Sequence, residues 1–279
     1  MMYPETQAEI FKRGSKTYFN SSRFFPAAAR RDVTCLYGFV RKADDFVDAV
    51  PQDREGFERF AADYRAAREG HASGDPVIDS FVELERRRGF DPAWTEAFLE
   101  SMRMDTEKQR YDSLEETLRY IYGSAEVIGL FMARIMELPR EADHPARMLG
   151  RAMQYINFIR DIDEDVQLGR RYLPLEQSGL KELSRETAEQ YPERFASFVH
   201  EHLRRYYEWQ GEAEKGYRYI PRRYLIPIKT AADMYAWTGR VIERDPAVVF
   251  SRKVKPSKGR IVLRGLANTA AAVLRKEGR

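Results

Sequence analysis

The chain of 279 residues contains one cysteine and four histidines. A lone thiol, Cys35, forms no internal disulfide, and so few histidines leave no Cys/His zinc framework, which excludes a secreted fold held by disulfides. Long apolar runs are also missing, since no window approaches the ~18 residues that a membrane span requires. The first residues, MMYPETQAEIFKRG, lack the charged-then-apolar order of an export signal, so cytoplasm is the expected compartment. Neither G-x-G-x-x-G nor G-x-x-x-x-G-K occurs, and neither ATP nor a Rossmann-bound dinucleotide is indicated. No linker rich in Pro, Gly or Ser and no fixed-period repeat divides the sequence, which reads as one domain over residues 1–279.

Against these absences stand 43% hydrophobic residues, with 16 Phe, 16 Tyr and 3 Trp, enough apolar surface for a full core. The net charge of +3 is unevenly spread, because residues 246–279 carry +8 and the rest of the chain −5. Basicity confined to one end argues against a nucleic-acid partner. Period-2 alternation is nearly absent and helical spacing is nearly everywhere, so the expected class is all-α. Helices are expected over about 26–49, 53–70, 77–88, 92–108, 114–137, 144–168, 192–217, 222–244 and 260–276. Pro26 suits a first turn, Asp91 with Pro92 reads as a cap and first-turn proline, and Ser113 with Glu116 has capping-box spacing.

Two of these helices carry the same polar stripe. In the first, Tyr37, Arg41, Asp44 and Asp48 fall at i, i+4, i+7 and i+11, beside an apolar stripe of Phe39, Ala43, Phe46 and Val50. In the helix over 144–168, Gln154, Asn157, Asp161 and Asp165 share one face, and Tyr155, Ile159, Ile162 and Val166 form the apolar one. Aspartates one turn apart, at ~6 Å, repel by roughly 3 kcal/mol at an effective dielectric near 20, so each pair calls for a cation. One such pair is ordinary solvated surface; two pairs, each preceded by uncharged hydrogen-bonding residues, line a single cleft if the helices face each other. Magnesium suits this set, taking one or two carboxylates and completing its shell with phosphate oxygens. A di-iron bundle needs two Glu-x-x-His elements, and only Glu141 to His144 has that form.

The segments RKADDFVD (41–48), YIYGSAEVIG (120–129) and QYINFIRDIDEDVQLGRRYLP (154–174) resemble, in order, the signature segments of the squalene/phytoene synthase family, and most resemble phytoene synthases. The likeness runs from SKTYFNSSRFFP (15–26) to VFSRKVKP (249–256). The first segment alone would also suit head-to-tail prenyltransferases or class I terpene cyclases, although the latter usually carry an Asn/Ser/Glu second metal motif. Val47 stands where some members have an acid, and Asp45 is an extra carboxylate expected off the cleft face.

The resemblance implies a class I isoprenoid synthase helical bundle with a central cavity, joining two allylic prenyl diphosphates head to head through a cyclopropylcarbinyl diphosphate. It implies two or three Mg2+ ions on Asp44, Asp48, Asp161 and Asp165, assisted by Gln154 and Asn157, with Tyr120 near the reaction centre. Tyr120 also reads as ordinary core. Arg41, Arg160 and Arg170 are suited to diphosphate, and Tyr37, Tyr172 and Tyr235 to hydroxyl donation. Ser22 and Thr34 are small where bulk would shorten a prenyl tunnel, which favours geranylgeranyl over farnesyl diphosphate and phytoene as product; both also read as local backbone caps. NADPH is not expected unless the product is squalene. The rival readings are dehydrosqualene or squalene formation, a terpene cyclase, and a non-catalytic isoprenoid-binding protein. The basic C-terminal stretch reads as solvated surface, as a diphosphate gate, or as a peripheral contact with anionic lipid at the inner membrane face.

Overall fold

The computed structural model describes residues 25–277, with side chains through residue 271. In chain order α1 spans Ala27–Asp48, α2 Arg54–Arg68, α3 Pro76–Arg88, α4 Pro92–Glu107 and α5 Leu114–Ile121. A π turn, Tyr122–Glu126, runs directly into α6, Val127–Ile135, and α7, Asp143–Arg160, and α8, Ile162–Gln167, come next. The order closes with α9, Arg185–Gln190, α10, Pro192–Glu214, α11, Arg222–Arg244, α12, Val248–Ser251, and α13, Lys258–Glu277. Among the described residues there is no strand, only an isolated bridge between Arg110 and Arg171, so the chain is all-α as its periodicity requires. The same residues include no helix long and apolar enough to cross a membrane. Helices α9 and α12, of 6 and 4 residues, are too short for a periodic signal and were not expected.

The helix starts arise from local chemistry. Asp91 accepts from the Ala93 amide at 2.9 Å with Pro92 in the first turn. Ser113 accepts from the Glu116 amide at 3.2 Å, and the Glu116 carboxylate returns to the Asp112 amide at 2.9 Å. Each such cap is worth ~1 kcal/mol. The N-terminal helices then bury an aromatic cluster, in which Phe39 of α1 stacks on Phe81 of α3 at 3.9 Å and Phe60, Tyr64 and Phe98 close around them. A second cluster lies between α7 and α10, with Tyr155 and Ile159 against Phe198 and Leu203, and with Phe158 flat on Tyr172 at 4.3 Å. The π turn packs on both α4 and α7 and so ties the two clusters together. Cys35 is buried in the first cluster, as its small apolar character predicts.

Three departures have physical causes. The expected helix over 114–137 is widened at the π turn, where Ser101 donates to the Tyr120 carbonyl at 2.9 Å. The extra residue in that turn resets the helix face, so that Gly123 meets α4 while Glu126, fully buried, reaches Arg147 at 2.9 Å and Arg151 at 2.6 Å on α7. The expected helix over 144–168 breaks at Asp161, whose φ of −99° and ψ of 16° are not helical, and Val166 leaves the core to become 36% exposed. Val50 is likewise not core but 92% exposed, because α1 stops at Asp48 and the residue before Pro51 is disfavoured in a helix; Val47 is buried in its place.

The close approach at Gly123 yields a sharp expectation. A Cβ there would lie 1.9 Å from the Ala97 carbonyl oxygen, a backbone atom that cannot swing aside. Gly123→Ala is expected to cost ~1–3 kcal/mol, read as a lowered melting temperature. Gly211→Ala on α10, where nothing lies within 4 Å, is expected to hold or raise it. Equal melting temperatures for the two variants would contradict the packing described.

Candidate active site

On α1 the residues Thr34, Tyr37, Arg41 and Asp44 are half-buried along one face, and Asp48 emerges exposed at its end. Arg41 pairs with Asp45 at 2.5 Å and approaches Asp48 at 3.7 Å, so its guanidinium lies on the helix's own acids. Asp45, like Asp48, is exposed. The Asp44 carboxyl is pushed up to about 7, first by burial and then by the Asp48 charge, with Arg41 opposing. The Thr34 hydroxyl donates to the Arg30 carbonyl at 2.8 Å, which is the backbone-cap role the sequence left open. Ser22 lies outside the described residues.

The second stripe comes from α7 and α8. The break at Asp161 lets adjacent side chains meet, and Arg160 grips Asp161 through two bonds of 2.8 and 2.5 Å. Neighbours in an unbroken helix do not face each other in this way. Lys253, after α12, reaches Asp161 at 3.2 Å and also pairs with Glu164. Asp165 has no such close partner among the described residues and is pushed up to about 8, chiefly by burial and then by Asp161, with Arg170 opposing. Asn157 and Gln154 are half-buried about one and two turns before Asp161, and the Asn157 Oδ1 atom is buried without a hydrogen-bond partner. Tyr235 of α11 is close enough to act electrostatically on Arg160.

Arg170 joins the two sides. Its Nη2 donates to the Val47 carbonyl at the end of α1 at 3.4 Å, and its charge acts on Asp48, Asp105 and Asp165. The two acidic stripes therefore face a common space, but they do not merge, because among the described residues no three acids, histidines or cysteines gather closely enough to hold a metal by themselves. The demand for a cation is met at Asp48 and Asp161 by Arg41, Arg160 and Lys253. Asp44 and Asp165 form no ion pair among the described residues, and burial with a neighbouring aspartate raises both carboxyls against the opposing charges of Arg41 and Arg170. Two separated pairs with an orphaned amide oxygen beside one of them fit a magnesium shell that is completed by phosphate oxygens. A cleft of about 140 Å³ opens beside the second stripe, between α8 and α12, lined by Arg160, Asp161, Glu164, Arg252 and Lys253 and by no residue of α1.

Asp105 was missed in the sequence. It accepts from the Tyr120 hydroxyl at 2.6 Å through one oxygen and from the Tyr172 hydroxyl at 2.8 Å through the other. Burial pushes its carboxyl up to about 6 against the pull of those two bonds. Tyr120 and Tyr172 are both buried, in ring contact at 5.2 Å and with Tyr111 and Phe158 around them. Tyr120 is thus a core residue whose hydroxyl has a carboxylate partner. The overlooked signal was spacing: Trp94, Phe98, Ser101 and Asp105 fall at i, i+4, i+7 and i+11, which sets an acid in the buried stripe of α4.

The family model for squalene/phytoene synthase matches residues 11–260. The 15-cis-phytoene synthase of Pantoea ananas is 32% identical over 253 residues, covering 85% of this chain and 81% of that enzyme. The 15-cis-phytoene synthase of a Paracoccus species is 32% identical over 192 residues, covering 63% of this chain and 62% of that enzyme. A solved dehydrosqualene synthase, 21% identical, superposes with a TM-score of 0.84 over 97% of this chain and 96% of its own, which establishes the class I isoprenoid synthase fold. With the family model spanning most of the sequence and its fold shared in three dimensions, the chain belongs to the squalene/phytoene synthase family.

Proposed function

We propose that the chain, acting as a single catalytic domain, condenses two molecules of geranylgeranyl diphosphate head to head, by way of a cyclopropylcarbinyl diphosphate, and releases diphosphate to give phytoene. The observation that carries the reading is the pair of acidic stripes on α1 and α7–α8 facing each other across Arg170. The substrate is inferred from the relatives, which are named phytoene synthases. Asp44 and Asp48 on one side, and Asp161 and Asp165 on the other, would hold magnesium, with Gln154 and Asn157 assisting. Bound there, magnesium stabilises the diphosphate as it leaves.

The protein's own groups do the rest. Arg170, with Arg41 and Arg160 once released from their acids, is placed to pair with diphosphate oxygens, and a guanidinium does so by two parallel bonds. Tyr37 and Tyr235 add hydroxyl donors at the same end. The Tyr120, Tyr172 and Phe158 rings give the allylic cation an apolar, electron-rich wall, and they keep water from it. Asp105 holds the Tyr120 hydroxyl in place beside the reaction and can take a proton relayed through it. In this reading the reaction ends by proton loss and does not consume NADPH. The enzyme works in the cytoplasm with peripheral membrane contact, because its substrates are amphiphiles and its product a hydrocarbon.

Purified chain given magnesium and an equal mixture of farnesyl and geranylgeranyl diphosphate is expected to convert mainly the longer substrate, to stop after EDTA, and to give product of the same mass with or without NADPH. Thr34→Trp, on the half-buried face of α1 that carries Tyr37, Arg41 and Asp44, is expected to shift preference toward farnesyl diphosphate by taking room from the longer substrate. Predominant use of farnesyl diphosphate by the unaltered chain would move the product to dehydrosqualene, or to squalene if a product two hydrogens heavier appears only with NADPH. No diphosphate release from any prenyl substrate would leave only isoprenoid binding.

A further inference from the structure

Helix α13 is oriented against the usual amphipathic rule, which turns the apolar side toward the protein. Its contacts with α11 are polar. Arg264 donates to Asp233 at 2.7 Å, Asn268 is buried and donates to Thr230 at 3.1 Å and to Asp233 at 2.8 Å, and the Arg260 guanidinium lies 4.6 Å over the Trp237 ring. The aliphatic side chains point the other way: Val262, Leu263 and Leu266 are 61, 69 and 63% exposed. Ala267 and Ala270 are exposed on the same side, so the apolar arc covers roughly 140° of the helix circumference. Among the described residues, Val50, Val166 and Leu168 are the other valines and leucines that are exposed. Cations border the arc. Lys258 and Arg260 flank it on the helix, and Arg252 and Lys255 are exposed in the segment leading into it.

The geometry points to this face of α13 as a docking surface for an anionic lipid bilayer. A helix of this kind lies in the membrane plane, with Val262, Leu263 and Leu266 among the acyl chains near the headgroups and the bordering Lys and Arg on lipid phosphates. Charge complementarity selects the partner, since an apolar strip rimmed by four cations matches a surface that is apolar beneath and negative above. The polar bonds to Asp233 and Thr230 hold the helix on the protein from behind and leave the apolar arc outward. The inference names the site of the membrane contact in the proposed function, and vesicle binding reads it separately from turnover.

The test uses the full-length chain, without substrate, sedimented with vesicles of phosphatidylcholine alone and of phosphatidylcholine mixed with phosphatidylglycerol. Binding is expected to the mixed vesicles only and to weaken as salt is raised. Leu263→Glu with Leu266→Glu is expected to reduce that binding at least tenfold, while activity on detergent-dispersed substrate and the melting temperature are unchanged. Lys255→Glu with Lys258→Glu is expected to weaken binding and flatten its salt dependence. Three results would overturn the inference: equal binding by the leucine variant, a concentration-dependent dimer in size exclusion that the leucine variant abolishes, or a melting temperature that the leucine variant lowers without any vesicle binding by the parent. The second result would assign the face to another copy of the chain, and the third to a segment of the same chain.

Discussion

Asp44→Ala, Asp48→Ala, Asp161→Ala and Asp165→Ala are each expected to lower diphosphate release at least ~100-fold while the helical circular dichroism stays unchanged. The four carboxylates lie on stripes separate from the apolar faces of their helices, so their loss removes charge from the cleft and nothing from the core. Asp45→Ala, one residue away and exposed, is expected to keep most activity. Its pairing with Arg41 makes it informative, because losing that partner leaves the guanidinium freer for diphosphate. Equal losses for Asp44→Ala and Asp45→Ala would refute the assignment of faces.

The same carboxylates set a pH dependence of stability. Asp44 and Asp165 are raised from 3.8 to about 7 and about 8, so the folded chain binds protons more tightly than the unfolded one. Their contribution is present in full below the unfolded value and is lost as pH rises through 7 and 8. Without magnesium, the melting temperature is therefore expected to fall from about pH 4 to about pH 8. Added magnesium is expected to reverse that fall by occupying the site, and Asp44→Asn with Asp165→Asn to flatten it. A metal-free melting temperature that rises across this window would contradict the burial of charge described.

Asp105→Asn and Tyr120→Phe are expected to lower kcat by ~100-fold or more, in keeping with the loss of an oriented proton-transferring pair, with KM little changed. Asp105 touches two tyrosine hydroxyls and no metal-motif acid, so it acts by positioning Tyr120. The distinguishing readout is the pH profile. The carboxyl titrates at about 6, well above 3.8, and only its ionised form accepts both hydroxyls, so kcat is expected to rise with pH through about 6. Asp105→Asn is expected to remove that limb. A retained limb in the Asn variant, or a loss confined to KM, would show that Asp105 merely packs.

Local sequence carried much of this protein. The all-α class, the capped starts at Asp91 and Ser113 and the acidic stripes of α1 and α7 were legible, because each depends on residues within a few turns of one another along the chain. Even Asp105 was legible in principle, as an acid in an apolar stripe, but its meaning was not. An acid in such a stripe has value only through its partners, and Tyr120 and Tyr172 are 15 and 67 residues away.

Tertiary structure decided the outcomes of competition between elements. The π turn exists because Gly123 must fit α4 while Glu126 meets two arginines on α7, needs that arise on different helices. The break at Asp161 is accompanied by the Arg160 and Lys253 contacts, and no pattern within α7 foretells a lysine arriving from beyond α12. The sequence marked Arg170 as suited to diphosphate, but only folding set it between two acidic helices. The orientation of α13 is of the same kind. Periodicity shows that a helix has an apolar side, but which side faces the protein depends on the free energy of its contacts, and here Asp233 and Thr230 of α11 bind the polar one.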